Sequence, residues 1–253
     1  MLKTIFAAAL AVVALVATSG HAAEGEKLDH VAVDITDLAS LQSGARTFVN
    51  YCLNCHSASL VRYNALRQIG LTDEQIKDNL MFTAEKIGMP MSIAMAPGDA
   101  KVWFGSVPPD LSVVARSRGP DWLYTYLRGF YRDPQTPTGW NNMVYPNVGM
   151  PHALWRLQGE RVLKEQEALR EGKPILGEDG KPRKVVTLVA VSPGTQSVAQ
   201  YDKTVYDLVN FLTWMGEPNQ LARKQIGVWV LFGLAVLILL TYLLKRAYWK
   251  DVH

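Results

Sequence analysis

The chain has 253 residues, of which 49% are hydrophobic and 19% are charged, and its formal net charge at pH 7 is +3. This length permits a sizeable core and at most two domains, while the composition excludes a disordered, collagen-like or polyelectrolyte chain. The near-balance of charge excludes nucleic acid as an electrostatic partner, and two cysteines cannot make a disulfide-rich scaffold.

The first 23 residues have the order of a secretory signal peptide. A positive charge at Lys3 precedes an apolar run over residues 5–16, and small residues follow as far as Ala23. An uncleaved anchor is the alternative, but this run is short for a membrane span. We therefore expect residues 1–23 to be cleaved and the mature chain to begin outside the cytoplasm.

Both cysteines lie in Cys52-Leu53-Asn54-Cys55-His56, which has the C-x-x-C-H spacing of c-type haem attachment. In such a motif each thiol forms a thioether with a vinyl group of the haem, and the adjacent histidine is the proximal iron ligand. The motif predicts one covalent haem c, attached through Cys52 and Cys55, with His56 as an axial ligand.

An apolar helical face leads into this motif. Its members recur at intervals of three, four and seven positions, the spacing of one side of an α-helix: Ala45, Phe48, Val49 and Cys52. We expect a helix, with Ser43 as its N-cap, that packs its apolar side over the haem.

Three other interpretations of the cysteines stay open at this point. A redox-active dithiol also uses C-x-x-C spacing, although no βαβ pattern surrounds it. A structural zinc site would need two further ligands, and the mature chain offers only His30, His56, His152 and His253. A simple disulfide would leave the adjacent histidine without a role.

The sixth iron ligand decides between electron transfer and ligand chemistry, because a methionine saturates the iron whereas an open position admits peroxide or gases. Residue type alone does not choose among the candidates. They are Met81, Met89, Met91, Met95, Met143, Met150, Met215, His30 and His152.

Two downstream segments predict a rigid loop and a short helix. In Pro108-Pro109-Asp110 the prolines fix the backbone and the carboxylate can accept hydrogen bonds in a turn. Pro120 then suits the first turn of a helix. Its apolar stripe, which fits core packing and haem contact alike, consists of Trp122, Leu123, Tyr126, Leu127 and Phe130.

The charges of residues 159–184 nearly cancel, with seven basic and six acidic side chains. Residues 160–171 predict a solvated helix, and residues 185–191 predict a strand. A second amphipathic helix follows, with Gly216 as its C-cap and Pro218 beyond its end. Its apolar face consists of Val205, Leu208, Val209 and Leu212.

Residues 226–244 form an uncharged apolar segment of 19 residues. At about 1.5 Å per residue it spans about 28 Å, close to the roughly 30 Å hydrocarbon core of a bilayer. A buried core helix is the alternative, which basic residues on both sides disfavour. Together with the export signal, this segment predicts an exported domain over residues 24–224, a transmembrane anchor over 225–245 and a cytoplasmic tail over 246–253.

The chain resembles the cytochrome c1 family, the haem-bearing subunits of the quinol to cytochrome c oxidoreductase, or cytochrome bc1 complex. The C-x-x-C-H motif alone would indicate any c-type cytochrome, whereas its combination with the other matching segments is specific. These segments cover most of the mature chain: Leu28-Asp29-His30, Gly44-Ala45-Arg46, residues 52–57 with Tyr63, Pro108-Pro109-Asp110-Leu111-Ser112, Ala115-Arg116, Phe211-Leu212, Trp214, Glu217-Pro218 and Arg223-Lys224.

The resemblance implies a mainly α c-type cytochrome haem domain with long loops and one C-terminal transmembrane helix. It implies Met150 as the sixth ligand, ahead of Met95 and Met143, because the family places this methionine in a proline-containing loop downstream of P-P-D-L-S. It also implies that Arg116 lies beside the haem propionates, and that Tyr63 and Pro109 contact the haem.

The implied function is electron transfer without catalysis by this chain. One electron would pass from the Rieske iron-sulfur subunit through the haem to a soluble or membrane-bound cytochrome c, while cytochrome b oxidises quinol in the same proton-translocating complex. The implied setting is a dimeric respiratory complex in a bacterial inner membrane, with lipid around the anchor and the haem domain in the periplasm.

Two rival interpretations follow from the residues. A membrane-tethered haem enzyme or sensor would have an open sixth iron position. An independent membrane-anchored cytochrome would shuttle electrons without belonging to a complex.

Overall fold

The computed structural model describes residues 28–167, 169–170, 173–174, 182 and 184–250. The predicted signal peptide, the last three residues of the predicted tail and most of residues 168–183 lie outside the described residues. Helices dominate what is described, which confirms the mainly α prediction.

The helices are numbered here in chain order. They are α1 (Leu38–Thr47), a π-helical turn (Phe48–Cys52), a 3₁₀ helix (Tyr63–Ile69), α2 (Asp73–Asn79), α3 (Pro97–Phe104), α4 (Val114–Arg118), α5 (Pro120–Arg128), α6 (Trp155–Gln158), α7 (Val198–Gly216) and α8 (Gln220–Tyr248). The strands pair antiparallel in twos: β1 (Ala58–Arg62) with β2 (Pro90–Met91), β3 (Phe130–Arg132) with β4 (Trp140–Asn142), β5 (Gly159–Glu167) with β8 (Lys184–Pro193), and β6 (Leu169–Arg170) with β7 (Lys173–Pro174).

Helix α1 begins earlier than the sequence predicted. The Asp37 carboxylate caps it by accepting a hydrogen bond from the Ser40 backbone amide at 3.0 Å. Ser43 lies inside the helix, so its prediction as the N-cap is wrong. The predicted apolar face is confirmed by the buried residues Ala45, Phe48 and Val49.

Helices α1 and α7 cross in close contact because Gly44 lets their backbones approach. A Cβ atom at this position would lie 2.0 Å from the Asp207 carbonyl oxygen and 2.6 Å from the Phe211 Cβ. Beside the crossing, the Ser40 hydroxyl donates to the Asp207 carboxylate at 2.6 Å, and the Asn210 amide donates to the Ser40 oxygen at 2.8 Å. The crossing therefore fixes α7 against the helix that leads into the cysteine motif.

Helix α7 has the apolar face that the sequence predicted. A capping box starts it, in which the Gln200 amide donates to the Ser197 hydroxyl at 3.3 Å and the Ser197 amide donates to the Gln200 side chain at 2.9 Å. The helix ends at Gly216, and Glu217 rather than Gly216 occupies the C-cap position. The predicted face is buried throughout: Val205, Leu208, Val209 and Leu212.

Residues 159–167 form strand β5, so the predicted helix over residues 160–171 is wrong in its described part. The strand predicted over residues 185–191 is confirmed and is the partner of β5, with Leu163 opposite Leu188 and Val162 opposite Val189. Pairing between residues 17 to 34 positions apart overrides the helix-forming glutamates and lysines of the segment, because the ladder satisfies the backbone groups along the facing edges of the two strands.

Helix α8 contains the apolar segment and extends beyond it at both ends. It has 29 residues, and the mean hydropathy of its most apolar stretch is 2.5. Its residues are all exposed or nearly so, which argues against a buried core helix. Residues 217–219 connect it to α7, and nine residues, 217–225, separate the end of α7 from the apolar segment.

Candidate haem site

A cavity of about 360 Å³ lies between the cysteine motif, the loop before α4, helix α5, the segment around residue 150 and helix α7. Five of the seven predicted site residues line it: Cys52, Cys55, His56, Pro109 and Met150. Apolar side chains from α5 and α7 complete its wall, including Leu123, Leu127, Leu208 and Leu212. The cavity therefore suits a large apolar group, to which the wall also presents a few side chains that can act as ligands.

The cysteine motif begins where α1 widens into the π-helical turn. The Leu53 amide donates to the Phe48 carbonyl at 3.0 Å, and the Cys55 and His56 amides both donate to the Cys52 carbonyl, at 3.1 and 2.9 Å. A π-helical turn is rare and is often found at functional sites. Here it ends the helix so that the cysteines and the histidine all line the cavity.

Both cysteines are free thiols, so the disulfide interpretation has no support in the structure. Burial, and to a lesser degree the neighbouring Cys55, raise the pKa of the Cys52 thiol to about 12. Cys52 is therefore protonated at neutral pH.

The imidazole of His56 is buried and oriented by a single hydrogen bond. Its Nδ1 lies 2.7 Å from the Pro109 carbonyl oxygen. A carbonyl can only accept, so Nδ1 carries the proton and Nε2 keeps its lone pair for a metal. Burial lowers the pKa of His56 against the opposing effects of Pro109 and Asp110, which favours the neutral, ligating form.

The loop that presents Pro109 is fastened to strand β1. The Asp110 carboxylate accepts hydrogen bonds from the Ser59 amide at 2.8 Å, the Ser59 hydroxyl at 2.7 Å and the Ser112 amide at 2.8 Å. Partial burial acts to raise the pKa of Asp110, but the hydrogen bonds from Ser112 and Ser59 outweigh it and hold this pKa below its ordinary value. The predicted rigid loop thus positions the carbonyl that orients His56.

Met150 is 94 positions from His56 in the sequence, but both residues line the same cavity. The turn before it contains Asn147 in the left-handed region, with φ of 60°, and the Asn147 amide donates to the Asn141 side chain at 2.8 Å. The Tyr126 hydroxyl donates to the Met150 sulfur at 3.4 Å.

The other candidates for the sixth ligand lie elsewhere. Met91 and Met215 are core residues, and Met95 lines a second cavity on the far side of Cys55. His30 pairs with a carboxylate at the surface, and His152 is buried in the core. Of the nine candidates, Met150 alone lines the cavity with His56.

Two predicted haem contacts are not among the residues that line the cavity. The Arg116 side chain packs against the end of α7, where a Cβ at Gly216 would lie 3.3 Å from its Cγ. Tyr63 is completely buried, with its hydroxyl 2.9 Å from the Thr83 hydroxyl. Their roles at the haem stay predictions.

Arg118 lines the cavity in addition, and sequence reasoning missed it. Its guanidinium lies 5.0 Å from the centre of the Trp122 ring and 5.9 Å from that of Tyr145. Arg118 ends α4 whereas Trp122 belongs to α5, and Gly119 between them has φ of 87°, so no spacing along a single helix indicated this contact.

The donor set of the cavity fits a haem c better than a zinc ion. Two thiols, a neutral imidazole and a thioether match the attachment and axial ligands of a c-type haem. Over the part of the chain that the structure describes, no group of three or more His, Cys, Asp or Glu side chains is placed to hold a metal ion, so a zinc site has no support.

The fold and this cavity together define a c-type haem protein with a C-terminal membrane anchor. The model of the cytochrome c1 family matches residues 30–92 and 96–252. The chain belongs to the cytochrome c1 family, as its motifs predicted.

Individual relatives agree over nearly the full chain. The chain is 46% identical to a cytochrome c1 of Allochromatium vinosum, over 96% of both chains. It is 45% identical to a Nitrosomonas europaea protein named ammonia monooxygenase gamma subunit, over 90% of this chain and 89% of that one. It is 29% identical to a cytochrome c1 of Rhodospirillum rubrum, over 85% of this chain and 83% of that one.

Proposed function

We propose that this chain accepts one electron from the Rieske iron-sulfur subunit of a cytochrome bc1 complex and passes it to a cytochrome c. Membership of the cytochrome c1 family establishes the coarser statement, that this is a haem electron-transfer subunit. The observation that carries the proposal is that His56 and Met150, 94 positions apart, line one cavity with both attachment cysteines.

Each side chain has a defined part in holding the cofactor. Cys52 and Cys55 would attach haem c covalently, and His56 and Met150 would be its axial ligands. Bound there, haem c supplies a reversible one-electron couple. The Pro109 carbonyl orients His56, and the apolar wall excludes water. Arg118 brings a positive charge that suits the propionate carboxylates of the haem, and the same role is proposed for Arg116.

The proposed setting follows from the two ends of the chain. The export signal directs residues 24–224 to the periplasm of a bacterial inner membrane, residues 225–245 cross the membrane once, and residues 246–253 lie in the cytoplasm. Lipid would surround the anchor, and cytochrome b, the Rieske subunit and a second copy of the complex would complete a dimeric assembly.

The covalent cofactor is tested on the matured full-length protein. A pyridine haemochrome spectrum together with the mass of the peptide that contains Cys52 and Cys55 should show one haem c joined through two thioethers. A denaturing gel on which the pigment separates from the chain would overturn the proposal.

Replacing the methionine ligand tests the sixth position. Met150→Lys should abolish the methionine-to-iron absorption band near the red end of the visible spectrum, because an amine replaces the sulfur. Met95→Leu is the matched control and should keep the band, since Met95 lines the second cavity. Persistence of the band in Met150→Lys would contradict the assignment.

Carbon monoxide separates electron transfer from the rival with an open sixth position. A methionine-ligated iron should bind carbon monoxide slowly and weakly at neutral pH. Rapid binding to the reduced wild-type protein would favour a haem enzyme or sensor instead.

The partners are tested by purification in a mild detergent. Co-purification with a b-type haem and an iron-sulfur subunit is expected. Isolation of the cytochrome alone would favour an independent carrier, and isolation with a monooxygenase would favour the role suggested by the name of the Nitrosomonas relative.

A further inference from the structure

A column of aromatic rings leads from the cavity wall, where Trp122 and Tyr126 lie beside Met150, to the segment that carries this methionine. The Trp122 and Tyr126 rings of α5 stack with centroids 4.7 Å apart, and Tyr126 meets Phe130 edge to face at 5.1 Å. Phe130 in turn stacks on His152 at 4.8 Å with 3° between the ring planes. The column thus runs from α5 through β3 to His152, two residues after Met150, and packs against the segment that carries the methionine.

Tyr126 is the member of this column that reaches the methionine with a polar atom. Its hydroxyl donates to the Met150 sulfur at 3.4 Å, within hydrogen-bond distance for sulfur. Only 8% of Tyr126 is exposed, so solvent competes little for this donor. A thioether sulfur has two lone pairs, and one can accept the hydroxyl proton while the other binds a metal.

We propose that Tyr126 is a positioning residue for the Met150 ligand and that its hydroxyl raises the reduction potential of the haem; this rests on the proposed ligation by Met150. The hydrogen bond withdraws electron density from the sulfur, so the sulfur donates less charge to the iron. Weaker donation disfavours the ferric state more than the ferrous state, and the potential rises.

The packing makes this hydroxyl hard to replace by another donor. Tyr126 is held between Trp122 and Phe130, so its ring cannot swing away without breaking two ring contacts. A phenol is protonated at neutral pH, so this hydroxyl is available as a hydrogen-bond donor.

The test compares three forms of the full-length, membrane-anchored holoprotein by potentiometric titration and by the methionine-to-iron absorption band. Tyr126→Phe keeps the ring and removes the hydroxyl, so its midpoint potential should shift negatively while the band is retained. Tyr124→Phe removes a hydroxyl from the same helix, and its potential should equal that of the wild type, since the Tyr124 ring lies beside Arg128 instead.

A second substitution should shift the midpoint potential in the opposite direction. Replacing Tyr126 by 3-fluorotyrosine makes the hydroxyl a stronger donor with almost the same shape, so the potential should shift positively. This variant also decides the matter if Tyr126→Phe matures poorly.

The outcomes separate the two proposals. If the wild-type protein lacks the methionine band, ligation by Met150 fails and the role of Tyr126 fails with it. If the band is present and the potential is unchanged or higher in Tyr126→Phe, or not raised by 3-fluorotyrosine, the role of Tyr126 is wrong while the ligation stands.

Discussion

At the scale of single residues, the orientation of His56 depends on a carboxylate that does not touch it. The His56 imidazole donates to the Pro109 carbonyl, and the neighbouring Asp110 fastens that loop to strand β1 through Ser59 and closes a turn within the loop through the Ser112 amide. The orientation of the His56 ring is therefore set through one peptide segment that is itself hydrogen-bonded to strand β1.

Removing this carboxylate should loosen the loop. Asp110→Ala leaves the Ser59 and Ser112 amides without their partner, and we expect the free energy of unfolding to fall by about 1–3 kcal/mol. Ser59→Ala removes only one of the three hydrogen bonds and should cost about 1 kcal/mol. Thermal denaturation of the holoprotein in detergent, followed by the haem absorption, measures both; equal losses in the two variants would contradict the central place of Asp110.

The same contact should make stability depend on acid. Because hydrogen bonds hold the pKa of folded Asp110 below its ordinary 3.8, its contribution is complete above that value and is lost as the pH falls through the folded pKa. The difference in melting temperature between the wild type and Asp110→Asn should therefore shrink below about pH 4. A difference that stays constant from pH 7 to pH 3 would contradict this.

Residues that belong to a local sequence motif could be predicted from the sequence. Residues whose role depends on contacts between distant parts of the chain could not. Cys52, Cys55 and His56 were indicated by five consecutive positions with C-x-x-C-H spacing, and the structure places all three at one cavity. The contact between Tyr126 and Met150 joins positions 24 apart and depends on how α5 packs, so no local pattern indicates it. For the same reason sequence reasoning named Arg116 and passed over Arg118.

At the scale of elements, the crossing of α1 and α7 should tolerate no side chain at Gly44. Gly44→Ala would place a methyl group 2.0 Å from the Asp207 carbonyl oxygen, which forces the helices apart. Overpacking of this kind typically costs about 1–3 kcal/mol, and we expect a lower melting temperature and poorer haem retention.

Gly98 is the matched control for this substitution. It lies in α3 with open space around the position of a Cβ, so Gly98→Ala should leave stability unchanged or raise it by at most about 1 kcal/mol. An equal loss in both variants would show that the crossing is not the cause.

Helices with apolar residues at regular spacing could be predicted from the sequence. A strand that forms only by pairing with a distant segment could not. The periodic faces of α5 and α7 record one-sided burial, which the sequence shows directly, although Phe130, predicted on the face of α5, lies in β3 instead. Strand β5 exists because residues 184–193 lie beside it, and a helix over residues 160–171 was the better local solution. Asp37 and Ser43 are both favourable N-cap residue types, so the sequence alone did not decide between them, and α1 begins after Asp37.

At the scale of the whole molecule, the anchor and the haem domain should be separable. Every residue of α8 is exposed or partly exposed, so a chain that ends at residue 219 loses no core contact. We expect such a chain to be soluble after export and to keep the haem spectrum and midpoint potential of the full-length protein. Fractionation followed by absorption spectroscopy checks this, and loss of the haem on truncation would show that α8 supports the fold.

Only three residues, 217–219, separate the end of α7 from the start of α8. Even fully extended, such a tether reaches about 10 Å, far less than the width of the domain it carries. A domain on so short a tether stays next to the membrane surface. A donor and an acceptor of electrons must therefore each reach it there.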